Sequence, residues 1–145
     1  FGEGTGTKIG QNAPDFKTEY LNGENFKLSD LEGKPIILNF WATWCIPCKR
    51  EMPSLQKLHS EGKIIVIGVN LQESKNTIEK YVSELNITFP IVLDKDGGIA
   101  AMYNVLLKPT TYFIDKNGVI VDKKFGELTS KDLSERSQKL LDRKI

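Results

Sequence analysis

The residues of this chain best suited to chemistry are its two cysteines, Cys45 and Cys48, in the stretch Trp41-Ala42-Thr43-Trp44-Cys45-Ile46-Pro47-Cys48-Lys49-Arg50-Glu51. The apolar run Ile36-Ile37-Leu38-Asn39-Phe40 precedes it, and a segment of helical periodicity follows. A strand that ends on a Cys-x-x-Cys pair opening a helix puts the first sulfur at the positive end of that helix, where a thiolate is favoured over a thiol. A cysteine with a pKa near ~8.5 is about 3% thiolate at pH 7, and one lowered to about 7 is roughly half ionised. Cys45 is therefore the expected attacking sulfur. It forms a mixed disulfide with a partner, and Cys48, one helical turn inward, resolves it. Pro47 fits the first turn of a helix, where its missing N–H leaves nothing unpaired.

Three other uses of the pair compete at this point. A purely structural disulfide across so short a loop contributes only about 2 kcal/mol by chain entropy. A zinc site needs four ligands, and the chain has no third cysteine and one histidine, His59. Two buried inert thiols are the remaining option. The strand-to-helix setting favours redox chemistry, of which Cys-x-x-Cys is the signature.

The elements that must hold this pair follow from the rest of the chain. At 145 residues a single domain is expected, burying roughly two-thirds of its unfolded surface. With 39% hydrophobic and 27% charged residues and a net charge of +1, the composition is that of a soluble domain that needs no disulfide to fold. It suggests neither nucleic acid nor a membrane surface as partner. No run of about 18 apolar residues is present. The chain starts at Phe1, and its methionines are Met52 and Met102, so a signal peptide or anchor is expected to have been removed from its front.

Residues 1–10, rich in glycine and threonine, read as a flexible lead or tether, and residues 11–145 as the domain. Leu21-Asn22-Gly23-Glu24 predicts a hairpin turn with positive φ at both centres. Ser29-Asp30-Leu31 suggests a helical turn. Ile36–Phe40 and Ile64–Val69 read as strands buried on both faces. Asn39 interrupts the first, and a polar group there must find partners. Met52, Leu55 and Leu58 mark the core face of the Cys48 helix, which Pro53 kinks without ending it. A helix over 75–85, a strand over 89–93, a short helix over 99–103, a hairpin of 111–114 with 119–124 and a closing helix over 130–141 complete an α/β layer with a partly parallel sheet. Trp44 is expected to cover the sulfurs and meet partners, Trp41 to fill the core, and His59 to lie at the surface.

In order and spacing, Ala13-Pro14-Asp15-Phe16, residues 28–34 (Leu-Ser-Asp-Leu-Glu-Gly-Lys), residues 39–45 (Asn-Phe-Trp-Ala-Thr-Trp-Cys), Pro47-Cys48, Phe89-Pro90-Ile91-Val92-Leu93-Asp94 and Pro109-Thr110-Thr111-Tyr112 resemble the thioredoxin-like superfamily. Within it the chain is most similar to the extracytoplasmic thiol-disulfide oxidoreductases of TlpA/ResA type. The resemblance implies a thioredoxin-like fold, a mixed central sheet with helices on both faces, extended by an N-terminal β-hairpin and a helix-strand insert over about residues 71–93. It implies a redox-active Cys45–Cys48 disulfide. It also implies a cis peptide bond before Pro109, whose neighbouring backbone pairs with an extended partner across from Cys45. Trp44, Pro47, Lys108, Pro109 and Thr110 are the expected substrate-binding residues.

Glu51 matches an acidic residue that ResA-like members use near the sulfurs. It is the expected proton acceptor for Cys48, with a solvated surface glutamate as the alternative reading. Asn39 stands where thioredoxin has a buried aspartate, and an amide cannot move a proton. Lys108 departs from the family, which usually has an uncharged residue before this proline.

The expected activity is therefore disulfide exchange with protein cysteines, as a reductant outside the cytoplasm, on partners such as apocytochrome c. A membrane thiol carrier would supply the electrons, and the protein would act as a monomer with no cofactor, metal or nucleic acid. A disulfide donor of the same fold is the alternative. A peroxidase is more remote, because Leu38 and Ala42 hold the offsets where peroxiredoxins place proline and threonine. A copper-delivery protein would need wider cysteine spacing and a histidine after the insert, and none follows His59.

Overall fold

In the computed structural model, which describes residues 2–143, the apolar run after Pro35 becomes β3 (Ile36–Trp41), the fully buried middle strand of a five-stranded sheet. β4 (Ile65–Leu71) and β5 (Ile91–Asp94) run parallel to it on one side, while β6 (Thr110–Ile114) and β7 (Ile120–Phe125) continue antiparallel on the other. The order is β5-β4-β3-β6-β7. Parallel neighbours need crossovers, supplied here by α1 (Ile46–Ser60) and α2 (Lys75–Glu84).

Strand alternation divides the core. Ile37, Trp41 and Val66 pack with Met52 and Leu55 of α1, Ile78 of α2, and Leu133 and Leu140 of α4 (Ser130–Asp142). Ile36, Leu38, Phe40, Ile67 and Val69 face the other way, onto Ile99 of α3 (Gly98–Met102), Tyr103, Tyr112, Phe16 and Phe26. Both faces are thus covered by helix. Trp41 stacks on Tyr81 of α2 at 5.1 Å and lies over Gly68. A Cβ at Gly68 would come within 2.9 Å of the indole, of Phe89 and of Ile91, so a larger residue there displaces the tryptophan that leads into the cysteine loop.

A separate hairpin of β1 (Lys17–Glu19) and β2 (Asn25–Lys27), followed by a 3-10 turn over Leu28–Leu31, docks on the free edge of β5. Leu21 N–H donates to the Ile91 carbonyl, and Thr18 Oγ1 to that of Leu93. The hairpin turn differs from expectation. Gly23 alone takes positive φ (91°), and Asn22 instead accepts the Glu24 N–H on its side chain.

The glycine-rich front also differs. Read as a flexible lead, residues 3–12 fold back on themselves through Glu3 N–H to Gly10 and Gly6 N–H to Asn12. They then pair with the start of β7, Gly10 N–H donating to Ile120 and Ile120 N–H to Gln11. Backbone pairing of this kind leaves no side-chain periodicity to detect. Pro53 lies inside α1, which continues for seven residues beyond it to Ser60.

Candidate active site

β3 ends at Trp41, and the next three residues turn so that Cys45 becomes the N-cap of α1, its N–H donating to the Ala42 carbonyl. Cys45 and Cys48 are disulfide-bonded, with the Cys48 N–H donating to Cys45 Sγ at 3.2 Å. That bond and the fifteen-residue helix behind it both stabilise negative charge on Cys45 once the disulfide opens. The first turn of α1 holds no acidic residue to oppose this. Cys48 is fully buried and Cys45 is 4% exposed, so a partner reaches the pair from the Cys45 side.

Glu51 is buried, at 3% exposure, one turn beyond Cys48 on the same helix. Its Oε1 accepts the Asn39 side-chain amide at 3.0 Å and its Oε2 the Leu128 N–H at 2.6 Å. Burial pushes its pKa up to about 7, the two donors pull it back in part, and the neighbouring Glu127 charge adds a smaller push upward. The carboxyl is therefore poised to take or give a proton at neutral pH. The partners that Asn39 requires are Glu51 and Thr111 Oγ1, the latter at 3.1 Å. The strand thus offers an amide and the helix delivers the carboxylate to it.

The Lys108–Pro109 peptide bond is cis. Pro109 is buried, and its carbonyl accepts the Gly126 N–H. Because Thr110 pairs with Phe40, this loop lies at the same end of the sheet as the cysteine loop. The two loops touch where Lys108 Nζ sits 5.2 Å from the centroid of the Trp44 ring, a contact worth about 0.5–1 kcal/mol at an exposed site. Trp44 is 67% and Ile46 68% exposed.

The AhpC/TSA family matches residues 9–123. The thioredoxin-like protein YneN of Bacillus subtilis is 43% identical over 136 residues, 90% of this chain and 79% of its own. The thiol-disulfide oxidoreductase ResA of Geobacillus kaustophilus is 41% identical over 136 residues, 92% of this chain and 78% of its own. The chain belongs to the AhpC/TSA family, in its ResA-like branch. A secreted thiol-disulfide isomerase of Corynebacterium glutamicum superposes with a TM-score of 0.81 at 30% identity, covering 92% of this chain and 86% of that one. The protein is thus a thioredoxin-fold thiol-disulfide oxidoreductase that carries its redox pair as Cys45–Cys48.

Within this ResA-like oxidoreductase the residues singled out from sequence do not all converge. Cys45, Cys48, Trp44, Lys108 and Pro109 share one end of the sheet, with Pro47 partly buried in the first turn of α1. Thr110 is fully buried and donates its hydroxyl to the Leu107 carbonyl at 2.7 Å, so its side chain shapes the loop. His59 is half-buried at the surface, and its Nδ1 accepts the Val66 N–H at 3.2 Å, fastening the end of α1 to β4.

Sequence reading missed Glu73. It follows β4, where Oε1 accepts the Thr43 N–H (2.7 Å) and the Asn70 amide (2.8 Å), and Oε2 accepts the Thr43 hydroxyl (2.5 Å). A carboxylate just past the end of the strand beside β3 was the available signal. It was also missed that Arg50 clasps Glu127 in a bidentate pair, with distances of 2.6–3.1 Å, holding the loop whose Leu128 N–H reaches Glu51. Among the described residues no group of three or more histidine, cysteine or acidic side chains is placed to hold a metal, and no helix is long and apolar enough to cross a membrane.

Proposed function

We propose that this oxidoreductase is a reductant of protein disulfides outside the cytoplasm. Cys45 attacks the substrate disulfide as a thiolate, releasing one substrate thiol and leaving the other sulfur bonded to Cys45. Cys48 then gives its proton to Glu51 and displaces the second substrate thiol, closing the Cys45–Cys48 disulfide. Two electrons and two protons pass to the substrate. The observation that carries the reading is the buried Glu51 carboxyl with its pKa near neutrality, one turn from Cys48. Its charge also works against the thiolates of the reduced form. That raises the energy of the reduced state and favours giving electrons away.

The substrate side is a loop rather than a cavity. Among the described residues the Lys108 N–H and carbonyl take no backbone hydrogen bond, which leaves them for an extended partner strand beside Trp44 and Cys45. Proteins with a disulfide in an accessible extended segment, apocytochrome c among them, fit this loop. A membrane-held thiol carrier would restore the electrons. The location draws support from the similarity to the secreted Corynebacterium isomerase.

Labelling intact cells with a membrane-impermeant maleimide tests location and direction together. The reading predicts that Cys45 is labelled, which requires it to be both outside and reduced. Labelling only after lysis contradicts the location, and a pair that stays oxidised before and after lysis identifies a disulfide donor.

A further inference from the structure

The sheet order sets a hydrogen-bonded carboxylate on one side of Cys45 and, on the other, a lysine with no ion pair among the described residues. β4 runs parallel to β3, so Glu73, just past its end, lies at the catalytic end of the sheet. β6 runs antiparallel, so Lys108, just before its start, lies at that end too, on the opposite flank. The two charges differ in what they have left to offer. Glu73 is engaged by Thr43 and Asn70 through three hydrogen bonds. Lys108 forms no ion pair among the described residues. Its ammonium lies 5.2 Å from the centre of the Trp44 ring, a contact that leaves its charge without a counter-ion.

Around it the surface is apolar, with Trp44, Ile46, Leu106 and Leu107 exposed, and Leu106 at 93%. Lys108 itself is half-buried, and a further cation, the exposed Lys49, follows Cys48 directly. Arg50, next along, is already held by Glu127. Among the described residues neither Lys108 nor Lys49 forms an ion pair, so each keeps its positive charge uncompensated.

We infer that Lys108 selects substrates in which an aspartate or glutamate flanks the disulfide cysteine. The inference rests on the disulfide-exchange reading above and narrows its substrate class. An extended segment paired beside Pro109 brings the side chain next to its cysteine toward the Trp44–Lys108 edge. A carboxylate there meets an unpaired ammonium over an aromatic ring, whereas a lysine or arginine meets the like charge of Lys108. The sulfur chemistry is unchanged. Cys45 Sγ bonds to the substrate sulfur, the substrate disulfide breaks, and its leaving thiolate is protonated from solvent. Lys108 acts on the encounter and on the mixed disulfide, as a specificity residue.

Three disulfide peptides identical except for aspartate, serine or lysine beside the cysteine test this, each reduced in a single turnover by protein pre-reduced with dithiothreitol and desalted. The expected result is an aspartate-to-lysine rate ratio of about fivefold at low salt, falling toward unity by about 0.5 M salt. Lys108→Gln is expected to bring the ratio close to one, and Lys108→Glu to invert it. A ratio that Lys108→Gln leaves intact overturns the inference. So does an equal slowing of all three peptides, which marks a charge acting on Cys45 and not on the substrate. Failure of the unsubstituted protein to reduce even the serine peptide overturns the exchange reading itself.

Discussion

A Cys48→Ser variant is expected to stop turning over and to accumulate as a covalent adduct with its substrate. Cys45 keeps its place at the N-cap of α1, so the first attack proceeds. Serine cannot close the second disulfide, so the captured sulfur stays bonded to Cys45. Loss of turnover by at least about a thousandfold follows, since release then falls to uncatalysed exchange with solution thiols. Mass spectrometry of the adduct reads the bond and names the partner. Cys45→Ser gives no adduct, because the remaining sulfur is fully buried. An adduct through Cys48 in that variant would reverse the assigned roles.

Glu51→Gln is the second large effect. It removes the proton acceptor while nearly preserving shape, so mixed-disulfide formation continues and resolution slows by about a hundredfold at neutral pH. In the unsubstituted protein the resolving rate should rise with pH through about 7, the pKa to which burial lifts Glu51. In the variant that inflection disappears, and the rate climbs only toward the thiol's own ionisation near ~8.5 or above. A variant with the unsubstituted pH profile contradicts the assignment.

The same residue links pH to stability. Its folded pKa of about 7 lies above the ordinary glutamate value of about 4.5, so the folded state holds a proton that the unfolded chain releases. This favourable contribution is complete below about pH 4.5 and is lost as pH rises through about 7, amounting to about 3 kcal/mol in all. The variant loses that slope. Either Asn39 or Leu128 also loses an acceptor, and that loss costs about 1–3 kcal/mol at every pH. Urea melts of the two proteins across this range separate the pH-dependent part from the constant one.

The parts of the molecule most legible in sequence are those written in local pattern. The apolar runs at 36–40 and 64–69 became β3 and β4 because strands buried on both faces must be almost wholly apolar. The Cys45-x-x-Cys48 pair declared its helix through Pro47 and the Met52–Leu55 stripe. What local pattern alone does not carry depends on residues far apart in the chain. Glu51 looks like any glutamate on a helix until Leu128, 77 residues away, closes over it. Glu73 shows its use only when β4 pairs beside β3 and brings it to Thr43, 30 residues earlier. Thr110 has the right place for a substrate contact, and the turn at Leu107 claims its hydroxyl. The glycine-rich front is held by backbone bonds to β7, for which no side-chain signature exists.

The most direct test of the account is the pH dependence of alkylation at each sulfur of the reduced protein, resolved by peptide mass mapping. Peptide dipoles and the Cys48 N–H acting on an N-cap sulfur predict that Cys45 reacts first, with an apparent pKa of about 7 or lower. Cys48 should stay protected until well above that. A Cys45 that titrates like free cysteine at about 8.5, or a Cys48 that reacts faster, would contradict it.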